Sequence, residues 1–172
     1  PWIRQHGGVP LMWNTGHALV KAKLKETGAP LAGEMSGHTF FKERWYGFDD
    51  GLYAGARLCE LISRQDRSAS EIFRSLPDML NTPELRLELE EGQQHRLIRE
   101  LVEAADFSDA AVSTIDGLRV DFDWGFGLAR ASNTTPTVIL RFEADTPAHL
   151  EEIQDRFRGL FRSCREGIEL PF

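Results

Sequence analysis

Two prolines near the middle of the chain bound a short segment across which neither a helix nor a strand is expected to continue. Pro77 and Pro83 each fix their own backbone and lack an amide proton. The hydrophobic pattern also changes here, because residues 85–90 alternate between leucine and charged side chains, as a half-exposed strand does. We therefore predict two domains, residues 1–77 and residues 78–172.

The first domain begins with the pattern of a strand–helix–strand unit. Residues 9–13 form a short apolar run that predicts a buried parallel strand. A helix is expected over residues 17–27, with Asn14 or Thr15 as its N-cap and a glycine and a proline beyond its end. Residues 31–33 then lead towards the next strand. This order predicts an α/β domain of the βαβ type.

A second helix of this domain is expected over residues 50–63. Asp49 precedes it and is the predicted N-cap. Its apolar residues recur at helical spacing and are predicted to face the core: Leu52, Ala56, Cys59 and Ile62. A short helix capped by Ser70 is expected to follow and to end at Leu76.

The second domain has the pattern of an antiparallel sheet with helices. The expected strands cover residues 85–89, 112–115, 118–122, 127–131 and 137–143, and the expected helices cover residues 93–105 and a segment capped by Thr146. Asp116 and Gly117, between two of these strands, are a strong hairpin signal. We predict an α+β domain with its helices on one face of the sheet.

The charge balance excludes several classes of function. The 172 residues include 27 acidic and 20 basic side chains, with a formal net charge of -7 and a pI near 5.3. The basic residues are scattered, so a nucleic-acid or membrane-surface partner is not expected. No apolar run reaches the roughly 18 residues of a membrane helix. Cys59 and Cys164 are expected to be buried or half-buried reduced thiols of a cytoplasmic protein, and the five histidines have no metal-ligand spacing.

Residues 33–41 place three polar side chains at alternating positions of one short segment. Glu34, Ser36 and His38 would point the same way in an extended or turn-like backbone. The aromatic pair at residues 40–41 can hold the segment in place. A carboxylate accepts from two neighbouring hydroxyls, and a serine donates or accepts. The segment suits the vicinal hydroxyls of a sugar, and a plain polar turn leading into a strand is the alternative.

Residues 130–136 join two predicted strands and contain groups that suit a phosphate. The guanidinium of Arg130 presents a planar fork to phosphate oxygens. The hydroxyls of Ser132 and Thr134 and the amide of Asn133 supply further hydrogen bonds. The spacing alone favours an ordinary polar turn.

Two histidines are candidates for a role in proton transfer. His17 lies at the predicted start of a helix, where anions are attracted, and His38 lies in the segment of residues 33–41. Either could donate to a phosphoryl oxygen or help to move a proton. A surface histidine is the plain alternative for each, and the sequence does not rank the two.

Taken together, these segments resemble the α-D-phosphohexomutase family, and within it the bacterial phosphomannomutase/phosphoglucomutases. Residues 33–38 (Gly-Glu-Met-Ser-Gly-His) are similar to the sugar-recognition loop of the family, and residues 130–134 (Arg-Ala-Ser-Asn-Thr) to its phosphate-binding loop. Residues 15–17 resemble a family segment that lies beside the phosphosugar. The likeness continues through residues 42–45 and 48–51 and extends over all 172 residues.

The resemblance implies a set of substrate-binding residues. They are His17, Glu34, Met35, Ser36, Gly37, His38, Arg130, Ala131, Ser132, Asn133 and Thr134. Glu34 and Ser36 would contact the 3- and 4-hydroxyls of a hexose, which nearly exchange places when the sugar reorients. Residues 130–134 would hold the phosphate that is not reacting. Indifference to the 2-hydroxyl would admit both glucose and mannose.

The implied activity is that of an isomerase that interconverts hexose 1-phosphate and hexose 6-phosphate. A phosphoserine would give its phosphoryl group to the sugar, a hexose 1,6-bisphosphate would form and reorient, and the other phosphate would return to the serine. Mg²⁺ held by an Asp-rich loop would balance the charge. Neither a Ser-His-Asn-type segment nor an Asp-x-Asp-x-Asp cluster occurs in the 172 residues.

We therefore expect the chain to be the C-terminal part of such an enzyme, from a partial third domain onwards. It would bind the phosphosugar, would contain no catalytic serine and no metal site of its own, and would be inactive alone. The full-length enzyme is expected to be a monomer.

Two alternatives stay open. A phosphoglucosamine mutase would have similar loops, although that relative tends to have Gln where this chain has Met35. A non-catalytic sugar-phosphate-binding module would keep the loops without the reaction. A phosphoserine segment and an Asp-rich loop upstream of these residues would exclude the module.

Overall fold

The computed structural model describes residues 2–172 and divides into two compact units. The first unit ends at Asp78, and the second comprises Met79–Phe172. Pro1, the first residue of the predicted first domain, lies outside the described residues. Each unit has its own cluster of buried apolar side chains.

Within the described residues, the first unit consists of four helices and an antiparallel hairpin. Its elements are α1 (Trp2–Gln5), α2 (His17–Thr27), β1 (Leu31–Gly33), β2 (Thr39–Phe41), α3 (Gly51–Ser63) and α4 (Ala69–Arg74). Ala32 of β1 lies opposite Phe40 of β2. Phe40 is fully buried and clusters with Val20 and Leu24 of α2. One small apolar cluster therefore fixes the hairpin to α2.

The strand predicted at residues 9–13 is wrong. These residues are irregular, and Val9, Leu11 and Met12 are largely exposed, Val9 at 95%. A parallel strand exists only through hydrogen bonds to a neighbouring strand. In the described part of the first unit, the one sheet is the β1–β2 hairpin. Hydrophobicity alone therefore does not decide the structure of this segment.

The helix N-caps of the first unit differ from the predicted ones. α2 follows Gly16 and has no side-chain cap. α3 is capped by Asp50, whose carboxylate accepts from the Tyr53 amide at 2.9 Å, and α4 is capped by Ser68 in a capping box with Glu71. The predicted caps, which are wrong, are Asn14 or Thr15, Asp49 and Ser70. At α3 and α4, cap preference does not distinguish nearby residues that have the same side chain.

Most of the face of α3 that was predicted to be buried is exposed: Leu52, Ala56 and Cys59 are exposed, and Ile62 is half-buried. Leu52 is 91% exposed. α3 instead contacts the hairpin through Tyr53, whose ring lies edge-on to Phe41 with centroids 5.6 Å apart, and through Arg57, whose guanidinium lies 4.6 Å over the same ring. Helical spacing therefore identifies an apolar stripe, but not what covers it.

The second unit, as far as the structure describes it, is a six-stranded antiparallel sheet with two helices. Its elements are β3 (Leu80–Asn81), β4 (Leu85–Glu88), α5 (Gln93–Ala104), β5 (Ala111–Ser113), β6 (Leu118–Phe122), β7 (Gly125–Ala131), β8 (Thr137–Ala144) and α6 (Pro147–Cys164). The strand order is β3-β8-β7-β6-β5, and β4 also pairs with β8. Buried side chains of α5 and α6 form one core with the sheet. The predicted α+β class is confirmed.

The hairpin predicted at Asp116 and Gly117 is present, although its loop is longer than two residues. β5 and β6 are joined by residues 114–117. Gly117 has a φ of 87°, and a Cβ there would collide with the backbone of Ala129 and Arg130. The turn therefore needs glycine, and it lies directly against β7.

Two further expectations concern thiols and membrane spans. Both cysteines are free; Cys164 is half-buried as predicted, whereas Cys59 is exposed, so its predicted burial is wrong. No helix within residues 2–172 combines the length and the apolar character needed to cross a membrane.

Gly127 lies under α6 and leaves no room for a side chain. A Cβ at this position would lie 2.7 Å from Cζ of the buried Phe157 and 3.0 Å from Cγ2 of Ile153. We therefore expect Gly127→Ala to lower the free energy of unfolding by about 1–3 kcal/mol. Urea unfolding of the variant and of the wild-type chain measures the difference.

Gly159, on α6 itself, is the matched control. A Cβ there meets nothing within 4 Å, so Gly159→Ala should raise the free energy of unfolding by about 0.5–1 kcal/mol through its helix propensity. A Gly127→Ala chain as stable as the wild type would contradict the close packing of β7 against α6.

Candidate functional site

Residues 34–38 form the loop that joins β1 and β2. The Glu34 amide donates to the His38 carbonyl at 2.9 Å, and the Gly37 amide donates to the Glu34 carbonyl at 3.0 Å. Gly37 has a φ of 94°, in the left-handed region that favours glycine. The backbone of the loop is therefore closed on itself and provides a fixed frame for its side chains.

The Glu34 carboxylate connects this loop to α2. Its Oε1 accepts from the amide of Gly16, just before α2, at 3.3 Å, and its Oε2 accepts from Ser36 Oγ at 3.4 Å. A helix N-terminus presents free amides and a positive potential, so it favours an ionised carboxylate. The structure thus brings Glu34 and Ser36 together beside the start of α2.

His38 is held by Asp49, a residue that the sequence presents only as a helix cap. His38 Nδ1 lies 2.5 Å from Asp49 Oδ2, and the Thr39 amide donates to Asp49 Oδ1 at 3.2 Å. The hydrogen bond from His38 lowers the pKa of the Asp49 carboxyl, and the Thr39 amide and the charge of His17 lower it further. An ionised carboxylate only accepts, so Nδ1 is the protonated nitrogen and Nε2 is left for another partner.

The structure therefore distinguishes the two candidate histidines. His38 has a fixed orientation, whereas His17 lies exposed at the start of α2 with no hydrogen bond to its ring in the described part of the chain. Met35 is also exposed, at 64%. Asp49 is the residue missed by sequence reasoning, because its partner is 11 positions away.

The second candidate segment, residues 130–134, begins at the end of a strand and continues into a loop. Arg130 and Ala131 are the last residues of β7 and pair with Ile139 and Val138 of β8. The loop itself comprises residues 132–136. Arg130 and Ala131 therefore belong to the strand predicted at residues 127–131, and the β7–β8 ladder extends through both residues.

Ser132 is the centre of this loop. It is buried, and its amide donates to the Thr137 carbonyl at 2.8 Å. Its Oγ accepts from the amides of Thr134 and Thr135 at 3.3 and 3.2 Å and from Thr135 Oγ1 at 2.9 Å. Asn133 and Thr134 are exposed. The loop is therefore ordered around one hydroxyl, and the polar residues 133–135 are all exposed.

Arg130 supplies the positive charge beside this loop. It is half-buried and forms no ion pair with a carboxylate of residues 2–172. Arg119, on the neighbouring strand, differs in that it is paired with Asp121 at 2.6 Å. The Arg130 guanidinium is therefore free to bind an anion.

Two open grooves of the described residues lie elsewhere. One, of about 680 Å³, is lined by Asp109 and acidic residues of α6, and the other, of about 700 Å³, lies between the β1–β2 hairpin and α3. None of the candidate residues lines either groove. No group of three or more His, Cys, Asp or Glu side chains in residues 2–172 could hold a metal ion.

Two sequence models of one family match the chain. Residues 2–80 match the phosphoglucomutase/phosphomannomutase alpha/beta/alpha domain III, and residues 84–160 match the phosphoglucomutase/phosphomannomutase C-terminal domain. The description of domain III agrees with the α/β class predicted for the first domain. The resemblance drawn from the short segments is confirmed.

Individual relatives are similar over nearly all of the chain. The phosphoglucomutase of Neisseria gonorrhoeae is 57% identical over 165 residues, which are 95% of this chain and 36% of that protein. The phosphomannomutase/phosphoglucomutase of Pseudomonas putida is 51% identical over 172 residues, which are 100% of this chain and 37% of that protein. The chain thus spans little more than a third of the length of these curated relatives.

A solved structure has the same fold. The crystal structure of a phosphoglucomutase/phosphomannomutase family protein from Burkholderia thailandensis is 57% identical in sequence, with a TM-score of 0.92. The match covers 99% of this chain and 36% of that chain.

The contact between His38 and Asp49 gives a prediction about pH. The donors from His38 and Thr39 bind the ionised carboxylate, so Asp49 should titrate below the usual aspartate value of about 3.9. The stability that this contact adds is present above the usual pKa and is lost as the pH falls through the lowered pKa. ¹³C NMR of the Asp49 carboxyl group measures the midpoint.

His38→Ala is the control for that titration. It removes the largest cause of the shift, so the Asp49 midpoint should move upwards towards the usual value. The same midpoint in the variant and in the wild-type chain would show that His38 does not hold Asp49.

Proposed function

Because this chain belongs to the phosphoglucomutase/phosphomannomutase family, we propose that it binds the substrate of a mutase that interconverts hexose 1-phosphate and hexose 6-phosphate. The observation that carries the proposal is the Arg130 guanidinium, without a carboxylate partner in the described residues, beside the polar loop of residues 132–136. The names of the two relatives support glucose and mannose phosphates as substrates.

In the proposed reaction the chain holds the sugar while a phosphoserine elsewhere in the mutase reacts. The serine gives its phosphoryl group to the free hydroxyl of the hexose phosphate, and a hexose 1,6-bisphosphate forms. The bisphosphate reorients and returns its other phosphoryl group to the serine, so that the net reaction is an isomerisation. Holding the sugar in each orientation is a matter of positioning and charge rather than covalent chemistry.

The hairpin loop supplies the proposed contacts to the sugar. Glu34 uses part of its accepting capacity on Gly16 and Ser36, and each carboxylate oxygen has a further lone pair for a sugar hydroxyl. Ser36 can accept from a second hydroxyl. Two adjacent polar groups of this kind fit vicinal hydroxyls, with Met35 and Gly37 completing the exposed loop.

Residues of the second unit supply the proposed contacts to the non-reacting phosphate. The planar guanidinium of Arg130 can donate to two phosphate oxygens at once. The Ser132 hydroxyl and the exposed side chains of Asn133 and Thr134 add neutral donors. Ala131, the last residue of β7, pairs with Val138 and so fixes where the loop begins. One charge and several neutral donors are enough to orient a phosphate that is not itself transferred.

His38 is the proposed acid–base helper. Asp49 keeps the proton on Nδ1, so that Nε2 is available to a sugar hydroxyl or a phosphoryl oxygen. His17 is proposed only as a second donor near the sugar phosphate, since nothing in the described residues fixes its ring.

The proposed enzyme uses a metal ion and a sugar bisphosphate. A Mg²⁺ ion would neutralise charge during phosphoryl transfer, but residues 2–172 have no cluster that fits a metal, and we assign it no step here. Hexose 1,6-bisphosphate is the proposed intermediate and activator. We also propose a cytoplasmic, monomeric enzyme. A phosphoglucosamine mutase and a non-catalytic module are not favoured, because the two relatives are named for glucose and mannose phosphates.

Arg130→Ala should weaken the binding of glucose 1-phosphate by about 1.5–3 kcal/mol, the scale of a charged hydrogen bond. Calorimetry on a mutase of full family length that contains this chain measures the change. Arg162→Ala is the control, because Arg162 is an exposed arginine in the last turn of α6. Unchanged affinity in Arg130→Ala would remove Arg130 from the site.

Glu34→Gln should weaken the binding of glucose 1-phosphate and leave the binding of inorganic phosphate unchanged. The substitution keeps the shape of the side chain but removes its charge and half of its accepting oxygens. Competition binding with the two ligands measures both affinities in one mutase. Glu26→Gln, at an exposed position of α2, should change neither. Equal losses for both ligands in Glu34→Gln would mean that Glu34 has a structural role only.

A further inference from the structure

The Ser132 hydroxyl is surrounded by hydrogen-bond donors from its own loop. Thr135 Oγ1 lies 2.9 Å from Ser132 Oγ, the Thr135 amide nitrogen 3.2 Å and the Thr134 amide nitrogen 3.3 Å. A hydroxyl has two acceptor lone pairs and one proton. These three donors occupy the accepting capacity of Ser132, and what the hydroxyl can still offer is its proton.

That proton has a poor partner within the loop. Thr134 Oγ1 lies 3.4 Å from Ser132 Oγ, which is longer than the usual O–H···O distance of about 2.5–3.0 Å. An ionised phosphate oxygen only accepts hydrogen bonds. A phosphate bound at this loop would therefore receive the Ser132 proton without competition from the loop itself.

We propose that Thr135 is a positioning residue of the phosphate site. By donating to Ser132 Oγ, its hydroxyl directs the Ser132 proton towards the bound phosphate. The proposal rests on the proposed function of residues 130–134 as the phosphate-binding segment. Thr135 acts through Ser132 and has no contact with the ligand in this role.

Thr135 is itself fixed from the side of α5. Its carbonyl accepts from the Thr137 amide at 2.8 Å and from Gln94 Nε2 at 3.5 Å, near the limit for such a bond. Gln94 is 7% exposed, and its Oε1 is buried with no partner among the described residues. A buried amide with an unpaired oxygen is unfavourable for folding. The stability of the core therefore does not explain why a glutamine is present here. Its bond to the Thr135 carbonyl does, because that bond helps to hold Thr135 in place.

Thr135→Val tests the proposal, because it keeps the shape of the side chain and removes the donor. The 172-residue chain is titrated with inorganic phosphate, and the shifts of its ¹H–¹⁵N NMR signals give the Kd. We expect the Kd to rise about 3- to 10-fold, the scale of one net hydrogen bond. Thr135→Ser keeps the hydroxyl and should bind phosphate within about 2-fold of the wild-type chain.

Thr137→Val is the matched control. The Thr137 hydroxyl donates to Glu88 Oε2 at 3.0 Å and makes no bond to Ser132, so this variant should bind phosphate as the wild-type chain does. A Thr135→Val chain with the wild-type Kd would overturn the proposal. A loss in Thr135→Val that Thr135→Ser does not restore would overturn it equally.

Gln94→Leu separates positioning from folding. Replacing a buried amide that has an unpaired oxygen should leave Tm unchanged or raise it, whereas losing the bond to Thr135 should raise the Kd for phosphate. A lower Tm with an unchanged Kd would show that Gln94 serves the fold and not the loop.

Arg130→Ala distinguishes failure of this proposal from failure of the proposed function. If Arg130→Ala weakens phosphate binding and Thr135→Val does not, only the role of Thr135 is overturned. If the wild-type chain binds no phosphate, or if Arg130→Ala leaves the Kd unchanged, the phosphate site itself is overturned.

Discussion

The second unit depends on the pairing of β7 with β8. The two strands match residue for residue over the whole of β7, and the other edge of β8 pairs with β4 and β3. This ladder fixes where residues 132–136 leave and rejoin the sheet, and the bond from the Ser132 amide to the Thr137 carbonyl closes the loop. A binding loop built from neutral donors needs such a rigid support. Each hydrogen bond alone contributes little, and only a fixed geometry lets several of them act on one ligand together.

The first unit orders its loop by a different means, with two carboxylates. Glu34 connects the loop to the amide of Gly16 before α2, and Asp49 holds His38 and the amide of Thr39. The lowered pKa of the Asp49 carboxyl keeps its contacts with His38 and Thr39 in place over the physiological pH range. The side chains proposed to contact the sugar are thereby oriented before a ligand binds. This lowers the entropic cost of ordering them on binding.

Sequence periodicity predicts the elements whose partners lie within the same unit. α2 and β6 have the predicted bounds, residues 17–27 and 118–122, because the packing face of each is covered by its own unit. The strand at residues 9–13 and the buried position of Leu52 fail because an apolar pattern does not specify what covers it. The candidate loops are visible as motifs, but the bond between His38 and Asp49 is not, since a partner 11 positions away is set by the fold and not by spacing.

Turnover of sugar phosphates tests most directly whether these loops belong to a hexose-phosphate mutase. A coupled assay on a protein of full family length that contains this chain, with Mg²⁺ and a trace of hexose bisphosphate, compares three substrates. We predict turnover of both mannose 1-phosphate and glucose 1-phosphate. Turnover of glucosamine 1-phosphate alone, or no turnover of any of the three despite a phosphorylated serine, would contradict it.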